Sequence, residues 1–257
     1  MKSIKKILLQ WLGLKHYLQL TSTFFFTARN QNWLRNQPEY YAHYLALEFI
    51  KPGDTVIDIG ANLGYYARPF AKKVGVTGKV LSVEPIALYR EVLENNVAGL
   101  TQVTILPYAL GETEGTIQMG NPSADKHRHG LMRVLIDDEV KANAEVYEVA
   151  VKNPMQLFGR LEKVDYIKCD IEGYEVPVIP ALRPLIEKLR PIMQVETEGD
   201  NKNVLMRLFR EVNYETFFAG KNTLVPYPDA SHHLKGDLIA IPAEKVSKYH
   251  FLISHAR

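Results

Sequence analysis

The chain has 257 residues, a formal net charge of +2 and 23% charged residues. This length suits one large α/β domain, with room for a helical appendage. So small a net charge, without a stripe of basic and aromatic residues, argues against nucleic acid as a partner. The single cysteine, Cys169, excludes an intrachain disulfide and indicates a reducing compartment, so we expect a cytoplasmic protein.

Residues 1–50 predict helices, and we expect them to form an N-terminal extension ahead of a domain over 51–257. Pro52 and Gly53 mark the boundary. No apolar run reaches the roughly 18 residues that span a bilayer. The first 20 residues combine apolar residues at helical spacing with four lysines: Lys2, Lys5, Lys6 and Lys15. Two interpretations stand: a helix that contacts an anionic membrane surface, or one that packs on the domain or on a second subunit of a homo-oligomer.

From Asp54 the pattern changes to strands that alternate with helices, which predicts right-handed βαβ units. Several strands are continuous apolar runs, typical of a parallel sheet covered on both faces. The candidate strands are Thr55–Ile59, Lys79–Val83, Val103–Pro107, Val164–Cys169, Pro191–Glu196, Tyr214–Ala219 and Asp237–Ile241. The candidate helices are Tyr65–Val74, Ala87–Ala98, Val176–Arg183, Leu185–Leu189 and Asn203–Glu211.

The first strand leads into a glycine loop, in the sequence TVIDIGANLGY over residues 55–65. Asp58 is placed to bind a ligand amino group or the N–H groups of the turn. Gly60 and Gly64 allow the backbone to approach a ligand closely, and Asn62 can adopt a left-handed conformation between them. Such a loop holds nucleotide-like cofactors in open α/β sheets. The GxxxG spacing favours S-adenosylmethionine over nicotinamide cofactors.

Acidic residues follow two other strands. Glu84 ends the second strand, 20 residues after Gly64, where a carboxylate can accept hydrogen bonds from both ribose hydroxyls. Asp170 ends the fourth strand, and Glu172 follows in a turn. These two carboxylates are expected beside the cofactor crevice, where either could accept a proton from a substrate or cap the next helix.

The long segment 111–151 interrupts the βα pattern and predicts a small antiparallel excursion with a loop near the substrate. It contains His127 and His129, and His129 is a reserve candidate for a catalytic base. A further pair, His232-His233, precedes the last strand. Their spacings are poor metal signatures, so no metal site is assigned. Glu196 and Glu198, at the end of the fifth strand, either bind the acceptor or cap the following helix.

In this order, the motifs resemble the FkbM-type family of S-adenosylmethionine-dependent methyltransferases over about residues 50–245. The matching stretches are VIDIGANLGYY (56–66), SVEP (82–85), ALGETEG (109–115) and DYIKCDIEGYEVPVI (165–179). The glycine loop is shared by many methyltransferases, whereas its combination with KCDIEGYE is much more specific.

The resemblance implies a Rossmann-like, seven-stranded class I methyltransferase fold, whose last two strands form an antiparallel hairpin. It also implies a place for each motif residue. Those expected around the methionine part of the cofactor are Asp58, Gly60, Asn62, Gly64 and Tyr65. Glu84 would hold the ribose, Pro85 and Ile86 would flank the adenine, and Asp170 with Glu172 would face the methyl group and acceptor.

Family members are typically O-methyltransferases, so we expect methylation of a hydroxyl on a sugar, glycolipid or natural-product acceptor. Two alternatives remain open. One keeps the fold and cofactor but methylates nitrogen on a small amine. The other is a non-catalytic scaffold whose N-terminal helices bind a membrane or a partner.

Overall fold

The computed structural model describes residues 2–121, 132–135, 145–197, 199–226 and 236–254, with the backbone alone for 2–7. The helices are α1 (Lys2–Asn30), α2 (Tyr41–Phe49), α3 (Ala67–Val74), α4 (Ala87–Asn96), α5 (Pro154–Phe158), α6 (Glu175–Ala181), α7 (Arg183–Leu189) and α8 (Asn201–Glu211). Short 3-10 helices cover Pro38–Tyr40 and Ala243–Leu252. Among the described residues, none of the helices combines the length and apolar character that a membrane crossing requires.

The main sheet consists of eight strands within the described residues, in the order β11-β10-β12-β9-β8-β1-β2-β3. Their bounds are β1 (Thr55–Ile59), β2 (Lys79–Val83), β3 (Val103–Leu106), β8 (Tyr166–Cys169), β9 (Ile192–Thr197), β10 (Tyr214–Gly220), β11 (Thr223–Pro226) and β12 (Gly236–Pro242). Strands β3, β2, β1, β8 and β9 are parallel, and β12 runs antiparallel to both β9 and β10. The predicted seven-stranded arrangement and its final antiparallel pair are confirmed, and β11 adds an eighth strand at the edge.

A second sheet is formed by β4 (Ala109–Leu110), β5 (Gly115–Gly120), β6 (Arg133–Val134) and β7 (Val146–Lys152), in the order β4-β7-β5-β6. The pairs β5–β7 and β5–β6 are antiparallel. The predicted antiparallel excursion in the segment 111–151 is therefore confirmed. His127 and His129 lie outside the described residues, as do Glu198 and the pair His232-His233.

Hydrophobic residues cover both faces of the main sheet because successive side chains of a strand point to opposite faces. Ile57 and Ile167 belong to a core cluster beneath α6, α7 and α8, whereas Val56 and Tyr166 belong to a second cluster beneath α2 and α3. Every residue of β1 and β8 is buried. This two-sided burial explains why these strands appear in the sequence as continuous apolar runs.

Helix α1 is interrupted at Gly13, whose φ of 70° and ψ of 164° are not helical. The part after Gly13 packs on the α/β domain through the buried side chain of Asn96 in α4. Asn96 accepts a hydrogen bond from Gln19 at 2.7 Å and donates to Ser22 at 2.9 Å and to the Leu63 carbonyl at 2.8 Å. The N-terminal extension is thus fastened to the glycine loop.

Candidate active site

The glycine loop follows β1 and turns back sharply at Gly60. Gly60 has a φ of 75°, and a Cβ atom at this position would overlap the carbonyl oxygen of Asp170. Asn62 adopts the predicted left-handed conformation, with a φ of 50°, and its Oδ1 accepts a hydrogen bond from Leu63 N at 2.8 Å. Helix α3 begins at Ala67, two residues later than predicted, because this turn extends through Tyr66. The loop backbone therefore lies directly against the end of β8.

Glu84 lies at the end of β2 and is 4% exposed. Its Oε2 accepts a hydrogen bond from Asn62 N and its Oε1 accepts one from Ile86 N, both at 2.8 Å. Burial raises the pKa of Glu84 to about 7, although these two N–H groups act in the opposite direction. Each oxygen keeps acceptor capacity for one more donor, as a pair of ribose hydroxyls would require.

Lys168, in β8, is the buried cation of the site. Its ammonium nitrogen lies 2.8 Å from the Gly60 carbonyl oxygen, 3.4 Å from Oδ2 of Asp170 and 3.6 Å from Oδ1 of Asp58. Burial opposes its charge, but Asp170 and Asp58 outweigh that effect and raise the pKa of Lys168. Lys168 therefore stays protonated and joins the glycine loop to the carboxylate at the edge of the sheet.

Three carboxyl groups meet at this edge. An oxygen atom from each of Asp170, Glu172 and Glu196 lies within 4.8 Å of the others, so the group could also hold a divalent ion. Asp170 and Glu196 share a side-chain hydrogen bond. Burial and the charge of Asp170 raise the pKa of Glu196, whereas Lys168 and Glu196 overcome the effect of burial on Asp170 and lower its pKa. Glu196 therefore favours its protonated form, and Asp170 favours its ionised form.

Aromatic residues of the N-terminal extension pack against the two tyrosines at the end of the glycine loop, and His43 among them lines the cavity. His43, in α2, stacks on Tyr66 with ring centroids 3.9 Å apart and planes 13° apart, and Phe25, in α1, packs against Tyr65 at 4.5 Å. Nδ1 of His43 is buried and has no hydrogen-bond partner among the described residues. Burial, with the charges of Arg29 and Lys168, lowers the pKa of His43 to about 3. The imidazole is therefore neutral and able to accept a hydrogen bond.

These elements enclose a cavity of about 200 Å³. The predicted site residues that line it are Gly60, Asn62, Tyr65, Glu84, Pro85, Ile86, Asp170 and Glu172. Asp58 lies fully buried behind Lys168. Gly64 faces α4, where a Cβ atom would come within 2.7 Å of Leu93 Cδ1. Ligand contacts for all of these residues, and a catalytic role for His129, stay predictions.

Several other residues that line the cavity were given no site role from the sequence, and His43, Tyr66 and Lys168 are among them. A site role for Lys168 could have been predicted from the sequence, because a lysine in an otherwise apolar strand requires a counter-charge. Asp58 and Asp170, at the ends of neighbouring strands, were the candidates for that counter-charge. No comparable signal marked His43, because its position depends on how α2 packs against the loop.

The strand order with β12 antiparallel beside β9, the glycine loop after β1 and the acidic residue after β2 are the arrangement of the class I methyltransferase fold. The sequence matches the family model of the methyltransferase FkbM domain over residues 58–216. The chain belongs to the FkbM methyltransferase family and is therefore an enzyme that uses S-adenosylmethionine. No similar sequence was found among curated proteins.

Solved structures show more distant likenesses. The FkbM methyltransferase of Methylobacillus flagellatus KT is 16% identical, with a TM-score of 0.45; the match covers 80% of this chain and 50% of that one, so this chain spans half of its length. A SAM-dependent O-methyltransferase of Thermotoga maritima is 14% identical, with a TM-score of 0.46 and coverages of 79% and 64%. Aeropyrum pernix fibrillarin, which was crystallised with S-adenosyl-L-methionine, is 12% identical, with a TM-score of 0.45 and coverages of 79% and 76%.

The residues present fit S-adenosylmethionine. Gly60 provides a bare backbone at the cavity, and Glu84 offers two carboxylate oxygens with spare acceptor capacity. A carboxylate at the end of β2 suits an unphosphorylated ribose. Asp170 and Glu172 put negative charge at the same cavity, which favours a cationic sulfonium.

Proposed function

We propose that this enzyme methylates a hydroxyl group on a sugar, glycolipid or natural-product acceptor. The observation that carries the proposal is the cluster of three carboxyl groups beside the cavity, in which Asp170 and Glu196 share a side-chain hydrogen bond. A hydroxyl is a weak nucleophile, and it needs a group that takes its proton as the new bond to carbon forms. The ionised carboxylate of Asp170 can take this proton, and because Glu196 beside it favours its protonated form, the pair does not place two negative charges in the site.

Cofactor binding and proton removal are assigned to different residues of the site. When bound, the cofactor supplies a methyl group that is already activated on a sulfonium, so the protein mainly aligns the nucleophile and excludes water. Glu84 and the loop at Gly60 would hold the cofactor. Asp170 would accept the acceptor proton, with Glu172 as the other candidate base. His129 stays in reserve, outside the described residues.

A small amine is the second candidate acceptor. Asp170, Glu172 and Glu196 present three carboxyl groups at one place, and this negative environment would attract an amine in its protonated form. The amine would then have to lose its proton before it could attack.

We propose that the reaction takes place in the cytoplasm, because the one cysteine, Cys169, is a buried free thiol that suits a reducing compartment.

The test is to incubate the pure enzyme with methyl-labelled S-adenosylmethionine and fractionated glycans, lipids and small metabolites, and to locate the label by mass spectrometry. We expect an O-methyl product, and Asp170→Asn should reduce its formation by at least about 100-fold. Glu187→Gln, on the exposed face of α7, is the matched control and should leave the rate unchanged. An N-methyl product, or full activity in Asp170→Asn, would overturn the assignment.

A further inference from the structure

The N-terminal segment of the chain is strongly basic. Residues 1–38 contain six lysines and arginines and no aspartate or glutamate, although the whole chain carries only +2. The remaining residues therefore carry a net charge of −4. Such asymmetry between segments of one chain is typical of a surface that meets an anionic partner.

The same segment exposes large apolar side chains. Trp11 is 87% exposed, Phe24 is 65% exposed and Trp33 is 61% exposed. Leu20 and Phe24 are four residues apart and so share one face of α1, whereas Leu18 and Phe26 are buried on the other. Exposed apolar residues in this number mark an interaction surface.

We propose that α1 and the turn after it form a docking surface for an anionic lipid membrane. Tryptophan side chains favour the interface between water and hydrocarbon, and lysines are attracted to acidic headgroups. The part of α1 after Gly13 would lie along the interface, with its buried face on the enzyme and its exposed face, which carries Leu20 and Phe24, towards the lipid.

The charge of this surface favours a membrane over a second copy of the chain. A twofold symmetric dimer places the same patch on both subunits, so each positively charged segment would face its own like-charged copy. An anionic bilayer instead supplies charge opposite to the net charge of the segment.

The docking surface and the cavity share one helix. Phe24 faces solvent, and its neighbour Phe25 packs against Tyr65 at the cavity with ring centroids 4.5 Å apart. Membrane contact through α1 would therefore hold the site near the lipid surface. The proposal does not depend on which acceptor is methylated.

The chain carries its own reporters, because Trp11 and Trp33 are its two tryptophans. We would titrate the full-length protein with vesicles of phosphatidylcholine, with and without phosphatidylglycerol, and record tryptophan emission and vesicle flotation. We expect a blue shift and flotation with the acidic vesicles and a loss of both at high salt. Trp11→Phe and Trp33→Phe each leave one reporter and assign the signal.

The discriminating variant is Lys5→Glu/Lys6→Glu, which should weaken binding to acidic vesicles by at least about tenfold. Its matched control is Lys72→Glu/Lys73→Glu, an exposed basic pair at the end of α3, which should bind like the unchanged protein. Binding of S-adenosylmethionine, measured by calorimetry, checks that each variant is folded. The membrane proposal is overturned if the protein binds neither kind of vesicle, or if the Lys5→Glu/Lys6→Glu variant binds acidic vesicles as well as its control does. It is also overturned if the emission shift follows protein concentration in the absence of vesicles, which would indicate self-association.

Discussion

Lys168 and Asp58 occupy opposing positions in the parallel pair of β8 and β1, and their charged atoms lie 3.6 Å apart in the core of the sheet. Neither residue is more than 2% exposed. Removal of one partner from a buried ion pair leaves the other charge without compensation. The contribution of each residue to the free energy of unfolding therefore depends on the presence of the other.

Lys168→Met should lower the free energy of unfolding by about 3–5 kcal/mol, because Asp58 would remain buried without its cation. Lys163 provides the matched control, since it also pairs with aspartates but its side chain is 55% exposed. Lys163→Met should cost no more than about 1 kcal/mol. Urea denaturation measures both, and equal losses would contradict the role given to Lys168.

Gly60→Ala should abolish binding of S-adenosylmethionine, because the added Cβ would overlap the Asp170 carbonyl and displace the loop. Gly75 is a matched control: its φ is also positive, at 67°, but a Cβ there would meet nothing within 4 Å. Gly75→Ala should therefore cost only backbone strain of about 1–3 kcal/mol and leave cofactor affinity intact. Calorimetric titration with the cofactor compares the two, and normal binding in Gly60→Ala would contradict the close approach.

The affinity for S-adenosylmethionine should depend on the ionisation of Glu84. The carboxylate form accepts hydrogen bonds from ribose hydroxyls, and the pKa of Glu84 in the free enzyme is raised to about 7. As the pH falls from 8 to 6 the carboxylate becomes protonated, and binding should weaken by about tenfold. Glu84→Gln should bind more weakly at pH 8 and lose this dependence, and an unchanged pH profile in that variant would place the titrating group elsewhere.

His43 should stay neutral across the physiological range. Its pKa is lowered to about 3 by burial and by Arg29 and Lys168, so its ring signals should not titrate between pH 5 and 8 in NMR spectra. His43→Asn assigns those signals. A transition of His43 near pH 6.5 would show that its ring is solvated or paired with an anion.

Much of the sheet was predictable from particular residues. The strands β1 and β2 were located to the residue, because each is a short apolar run bounded by Gly or Pro. The loop and the carboxylates at the ends of β2 and β8 followed from the rule that ligands bind at the carboxyl edge of a parallel sheet.

The aromatic contacts of the N-terminal extension were not predictable in the same way. His43 reaches the cavity only because α2 packs beside α3, and Phe25 reaches Tyr65 only because Gln19 and Ser22 fasten α1 to Asn96. These contacts join residues more than 20 positions apart, and local periodicity carries no information about them. The strand β11 was missed for a different reason, because its pairing with β10 is local: Gly220 opposes Thr223 across a tight hairpin whose Asn222 has a φ of 56°.

The strand β11 is an edge strand of the main sheet, and an edge strand can expose unpaired backbone groups to other chains. The chain's last described segment closes over it: Ser254 N donates to the Leu224 carbonyl at 2.8 Å, and Ile253 forms an isolated parallel bridge with Leu224. Pro226 removes one more donor from the strand. An open edge would recruit strands from other chains, so this closing segment protects the enzyme against aggregation.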